Sequence, residues 1–164
     1  MAIYRRETFV DAPFEDVWAF HSTIDGLDAL TPGFMNLEIE RVTGPDGEPD
    51  PEVLETGARI ELSMRPFGVG PRQHWTSVVT ERTEEDGAAM FHDAMEEGPF
   101  PTWEHTHRFF ADGDGTRLVD HVRYDLPGGA LGRAVSPFGR IGLEPMFRGR
   151  HRTTKEILEE HSGT

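Results

Sequence analysis

The chain has 164 residues, no cysteine and a formal net charge of −14. This length suits a single domain spanning residues 1–164, and the lack of cysteine excludes disulfides, thiolate metal sites and cysteine nucleophiles. No apolar run is long enough to span a bilayer, and no apolar leader follows Met1. We therefore expect a protein that stays in the cytoplasm, without stable membrane insertion.

The charge comes from thirty acidic residues against sixteen basic ones, of which only Lys155 is a lysine. Carboxylates stay hydrated in concentrated salt, and salt screens the self-repulsion of an acidic surface. This composition predicts adaptation to a high-salt cytoplasm such as that of a halophilic archaeon. The same charge argues against nucleic acid or an anionic membrane as a partner.

Apolar alternation and turn residues predict, in chain order, a strand, two short helices, six more strands and a C-terminal helical region. The predicted strands are residues 3–10, 37–43, 58–64, 73–82, 88–95, 102–110 and 116–126. The first helix starts near Pro13, the second covers about 25–30, and a polar loop fills 44–51. The final helix restarts at Ser136 and Pro137 after helical residues that follow Pro127.

A stripe at intervals of three or four residues predicts the buried face of the final helix. Its members are Phe138, Gly142, Pro145 with Met146, Gly149, Thr153 and Ile157. Short loops between the strands imply an antiparallel meander, and a long helix can bury such a stripe only inside a curved sheet. The predicted fold class is therefore α+β, with about seven antiparallel strands curved around a long C-terminal helix.

The most specific local pattern is a hairpin whose turn centres between Gly113 and Asp114. From the turn outwards, this register pairs Phe109 with Leu118, His107 with Asp120, His105 with Val122, and Trp103 with Tyr124. These residues share one mostly apolar face, whereas Glu104 and Arg123 pair on the other face. Since the apolar face should look inward, His105, His107 and Asp120 are predicted to be polar groups on a cavity wall.

Three interpretations of that polar group remain open. The first is a buried pair in which Asp120 accepts a hydrogen bond from His107 and satisfies it. The second makes His107 a general base that is oriented by Asp120. The third is a metal site, which would use His105 and His107 together with Asp120, Asp93 or another histidine.

Four segments carry a family resemblance. Residues 98–109 (GPFPTWEHTHRF) resemble the "GPF..W.H.H.F" segment of SRPBCC (START/Bet v 1-like) proteins of the polyketide cyclase/dehydrase group. Residues 112–127 resemble "DGT.L.D.V.Y.LP", and residues 147–152 (FRGRHR) are similar to the "F.yRhr" stretch of the last helix. The opening 9–18 is similar to "i.AP.e.Vw.f", so the resemblance runs nearly end to end.

The resemblance implies a helix-grip fold, and it leaves three functions open. The first is binding of an apolar small molecule such as a lipid, isoprenoid or polyketide, with transport as an extension of that role. Its predicted pocket is lined by Trp103, Phe109, Leu118, Val122, Tyr124, Phe138 and Met146, with His105, His107 and Asp120 orienting a polar end. The second is a cyclase or dehydratase that uses His107 oriented by Asp120, and the third is a protein-interaction module. No cofactor and no bound metal are expected.

Overall fold

The computed structural model describes the backbone of residues 1–162 and the side chains of residues 1–160. Within this range the elements are β1 (Ala2–Val10), α1 (Phe14–His21), α2 (Ile24–Leu30), β2 (Glu38–Thr43), β3 (Arg59–Met64), β4 (Gln73–Glu85), β5 (Ala88–Glu97), β6 (Thr102–Asp112), β7 (Gly115–Asp125), α3 (Gly129–Val135) and α4 (Arg140–Ser162). Short 3-10 turns cover Gly33–Met35, Pro66–Gly68 and Ser136–Gly139. The predicted fold class and element order are confirmed.

The seven strands form one antiparallel sheet in the order β1-β7-β6-β5-β4-β3-β2. The β6–β7 register is the predicted one, with His107 opposite Asp120 and Trp103 opposite Tyr124. A two-residue turn sets this register, and Gly113 adopts a φ of 62° there, a conformation that other residues rarely reach. On the outer face Arg123 and Glu104 form the predicted ion pair at 3.2 Å.

Bulges bend the half of the sheet that is farthest from β1. The β4–β5 register shifts between Thr76 and Ser77 and again between Val79 and Glu81, and β2–β3 shifts between residues 39 and 41. An extra residue on one strand bends it and increases its twist. Side chains of β3, β4 and β5, in this half of the sheet, line a space beneath the long helix.

Helix α4 packs on the other end of the sheet, through a face that differs from the predicted stripe. Its buried residues are Phe147, His151, Thr154 and Leu158, which recur at helical spacing. Phe147 packs against Tyr4 of β1, with ring centroids 5.2 Å apart, and belongs to the same cluster as Val122. In the described part of the chain, no helix is long and apolar enough to cross a membrane.

The predicted stripe was wrong at its start, because Phe138 lies in the turn before α4 with 67% of its surface exposed. The predicted stripe contains the small residues of the helix. The buried face instead contains large side chains that pack on the sheet.

A pair of phenylalanine substitutions tests this packing. Phe147→Ala removes a fully buried ring and should lower the free energy of unfolding by about 3–5 kcal/mol, because it leaves a cavity under α4. The matched control Phe138→Ala removes an exposed ring and should change it by less than about 0.5 kcal/mol. Chemical denaturation measures both, and equal losses would contradict this account of helix packing.

Candidate functional site

A cavity of about 790 Å³ lies between α4 and the concave face of the sheet. Its wall is mostly apolar and includes side chains from β3, β4, β5, β6, β7, α2 and α4, among them Leu30, Leu62, Trp75, Phe91, Met95, Trp103, Tyr124 and Met146. The lining residues Phe67 and Ile141 are 74% and 73% exposed, so they mark the opening. A cavity of this size accommodates one small organic molecule.

A polar group interrupts this wall where β5, β6 and β7 lie side by side. Asp93 comes from β5, His105 and His107 from β6, and Asp120 from β7. Side chains two residues apart on a strand share a face, and the antiparallel register brings Asp93 opposite His105 and Asp120 opposite His107. His151 reaches the group from α4.

Asp120 is the centre of this group, with only 2% of its surface exposed. Its Oδ1 accepts hydrogen bonds from His105 Nε2 at 2.7 Å and from His107 Nδ1 at 3.1 Å. Its Oδ2 accepts one from His151 Nε2 at 2.5 Å. Burial alone would raise the pKa of Asp120, but these three histidine donors hold the pKa well below its usual range.

His107 lies between two carboxylates. Besides its bond to Asp120, its Nε2 donates to Asp93 Oδ2 at 3.1 Å, and Asp93 Oδ1 also accepts from Ser77 at 3.2 Å. Burial alone would lower the pKa of His107, but the bonds to Asp120 and Asp93 outweigh it and raise the pKa. The same bond from His107 overcomes burial at Asp93 and lowers the pKa of that carboxyl. Carboxylates therefore face both ring nitrogens of His107, and both favour its imidazolium form.

His105 and His21 are neutral neighbours of this cation. Burial, followed by the charge of His107, lowers the pKa of His105 to about 4. The rings of His105 and His107 have centroids 3.5 Å apart, so protonation of one ring opposes protonation of the other. Burial also lowers the pKa of His21 to about 3, and its Nδ1 donates to Val17 O at 2.8 Å.

Arg150 is the other cation on the cavity wall. In the part of the chain that the structure describes, its guanidinium makes no hydrogen bond and no ion pair with a protein group. Burial lowers the pKa of Arg150, and the negative charges of Asp120 and Asp93 oppose that shift.

Asp93, His105 and His107 also have the composition of a metal site. Each offers one ligand atom, and these atoms lie within 4.8 Å of one another. Two histidines and one carboxylate can hold a transition metal, and Asp120 would orient both rings from behind. Such an ion would have to replace the hydrogen bond between His107 and Asp93, because both groups would then be ligands.

The structure brings together only part of the predicted ligand-binding set. Trp103, His105, Tyr124 and Met146 line the cavity, and so does His107. Asp120 lies behind the histidines and does not line the cavity.

Four residues predicted as cavity lining lie elsewhere. Phe109 and Leu118 pack under Trp18 in the cluster that α1 covers, since α1 closes that end of the sheet. Val122 is fully buried in the cluster of Phe147. Phe138 points to solvent, because the chain has not yet reached the sheet at that residue.

Sequence reasoning missed three titratable residues at the site. His151 joins Asp120 from α4, and Arg150 and His21 line the cavity. The spacing of Phe147, His151, Thr154 and Leu158 is a recognisable helical face and could have indicated the role of His151. Nothing in the local sequence distinguishes Arg150 from the exposed arginines beside it.

A family model described as polyketide cyclase / dehydrase and lipid transport matches residues 10–148. This span covers most of the chain, so the protein belongs to that family. No curated protein matches the sequence.

Several solved structures share the fold. The protein TTHA0849 from Thermus thermophilus is 22% identical with a TM-score of 0.61, covering 98% of this chain and 99% of that one. Norcoclaurine synthase from Thalictrum flavum, solved with dopamine and hydroxybenzaldehyde, is 16% identical with a TM-score of 0.66. The match covers 97% of this chain and 87% of that one. A START superfamily protein from Mycobacterium smegmatis is 15% identical with a TM-score of 0.61, and the match covers 98% of this chain and 99% of that one. These similarities establish the helix-grip fold.

The Asp120 network can be tested by an isosteric substitution. Asp120→Asn keeps the shape but removes the charge that three buried histidines share, so it should lower the free energy of unfolding by about 3–5 kcal/mol. The control Asp114→Asn changes an exposed carboxylate in the turn of the same hairpin and should be nearly neutral. A loss of stability at Asp120 no larger than that at Asp114 would show that the carboxylate does not hold the histidines.

The charge states of the histidines predict a distinct pH response. The raised pKa of His107 stabilises the fold at a pH below 6.5, which is the pKa of the ring in the unfolded chain. This contribution is lost as the pH rises through the higher pKa of the folded state. The lowered pKa of His105 has the opposite effect. Its contribution to stability is present at a pH above 6.5 and is lost as the pH falls towards its folded pKa of about 4. Ring proton and nitrogen NMR across this range should find His107 protonated where His105 is neutral. The opposite order would contradict the assignment.

Proposed function

We propose that this protein binds one apolar small molecule with a polar end in the internal cavity, as a carrier of a lipid, isoprenoid or polyketide. The observation that carries the proposal is the cavity itself, which is large, mostly apolar and polar on one part of its wall. Apolar surface binds the body of a ligand, and a few polar groups orient it. The family description names lipid transport beside cyclase and dehydrase activity, and either needs such a cavity.

The state of His107 favours the carrier over an enzyme that uses this ring as a base. Both ring nitrogens donate to carboxylates, so neither has a lone pair free to accept a proton. The same bonds fix the ring against rotation. Asp93 and His107, with Asp120 behind them, therefore form a fixed polar part of the wall that orients a ligand.

The open cavity also argues against a pure protein-interaction module. Such a module has no need of an internal space, and filling the space with side chains would add stability. Keeping a large apolar cavity has a cost in stability that bound ligand would offset.

A cavity-blocking substitution tests the proposal. Gly142 lines the cavity near its opening, and a Cβ at this position would meet no heavy atom within 4 Å. Gly142→Trp should therefore fold and occupy ligand space, and we expect it to weaken binding of the neutral dye Nile red at least about 10-fold. Fluorescence titration measures the affinity.

Gly142→Ala is the matched control, because it also replaces the glycine within the helix but leaves the cavity open. It should bind the dye within about 2-fold of the unmodified protein, since one methyl group fills little of the space. Equal dye binding by the Trp and Ala variants would mean that the dye does not enter this cavity, and would refute the proposed site.

A further inference from the structure

Arg150 has an unusual environment for a charged side chain. It lies on the wall of a mostly apolar cavity, and none of the described protein groups pairs with its guanidinium. A guanidinium presents five N–H donors and cannot lose its charge in a protein. Arg150 is half-buried, and polar groups withdrawn from water usually have partners, so donors that line a cavity suit a partner that arrives with the ligand.

The two nearby carboxylates do not serve as that partner. Asp120 already accepts hydrogen bonds from three histidines, and Asp93 accepts from His107 and Ser77. Their charges act on Arg150 through space, but neither approaches it closely enough to form an ion pair. The donors of the guanidinium are thus available to a ligand in the cavity.

From this environment we infer that Arg150 binds the carboxylate of an apolar monocarboxylic acid, which is the ligand class that the cavity takes. The inference rests on the proposed carrier function and adds the chemistry of the polar end. A planar guanidinium matches a carboxylate through two parallel hydrogen bonds. Folding has already withdrawn much of Arg150 from bulk water. Little further desolvation of the guanidinium is therefore needed when the carboxylate binds.

The charges around the site favour a single negative charge on the ligand. Asp93 and Asp120 place two negative charges near the single positive charge of Arg150. A carboxylate adds one negative charge directly beside Arg150. A phosphate dianion would add about two, and it would be repelled more strongly by Asp93 and Asp120.

Matched pairs of ligands test the inference on the full-length protein. Palmitic acid and cetyl alcohol share one alkyl chain, and naphthoic acid and naphthalenemethanol share one ring system. Each would be titrated at a pH of about 8, where the acids are ionised, by displacement of Nile red. We expect the acid of at least one pair to bind about 10-fold more tightly than its alcohol.

Variants of the arginine then assign this preference. Arg150→Gln should weaken binding of the preferred acid at least about 30-fold, because it leaves a buried carboxylate unpaired, and should leave alcohol binding within about 2-fold. Arg150→Lys keeps the charge but loses the planar pair of donors. Its affinity for the acid should therefore lie between those of the unmodified protein and Arg150→Gln. Arg152→Gln is the control, because Arg152 is exposed on the same helix. This variant should bind the acid with the affinity of the unmodified protein.

The outcomes separate the two proposals. Acids that bind no better than their alcohols in both pairs would overturn the role of Arg150 and leave the apolar carrier standing, and this comparison needs only the unmodified protein. An acid preference that persists in Arg150→Gln would also overturn it. Failure to bind the dye or any of the four ligands would refute the carrier and the inference together.

Discussion

The polar interior of this protein depends on one buried carboxylate. Asp120 joins β6, β7 and α4 by accepting hydrogen bonds from His105, His107 and His151. A buried charge is tolerated only when donors surround it, and three histidines from two layers of the fold meet that need. The network therefore fixes both the approach of α4 to the sheet and the orientation of the rings on the cavity wall.

The cavity and the network are two results of the same packing. Phe147 and His151 pack α4 against the β1–β7 end of the sheet. Apolar side chains of β3, β4 and β5 face the cavity beneath the helix. The result is a cavity that is apolar over most of its wall and polar where Asp93, His105 and His107 stand together. Arg150, whose guanidinium pairs with none of the described protein groups, adds to the polar part.

The sequence predicted the sheet better than it predicted the contacts of the helix. Strand alternation and the two-residue turn at Gly113 and Asp114 determine the β6–β7 register by simple addition, so the pairing of His107 with Asp120 follows from local chemistry. The rotation of α4 depends on which residues meet the sheet, and this is decided by contacts distant in sequence. The helix contains two faces at helical spacing, and the predicted one places Phe138 inside and leaves out His151. Phe109 and Leu118 share the inward face as predicted, but α1 covers them, which no periodicity within the hairpin could reveal.

Native mass spectrometry of the protein purified from the cells that express it tests the central claim most directly. If the cavity serves an apolar ligand, the spectrum should contain one additional small-molecule mass per chain, which organic solvent extracts and which is absent from Gly142→Trp. Protein without ligand should regain such a mass after incubation with a lipid extract of the same cells. A bare chain mass before and after that incubation would contradict the carrier function.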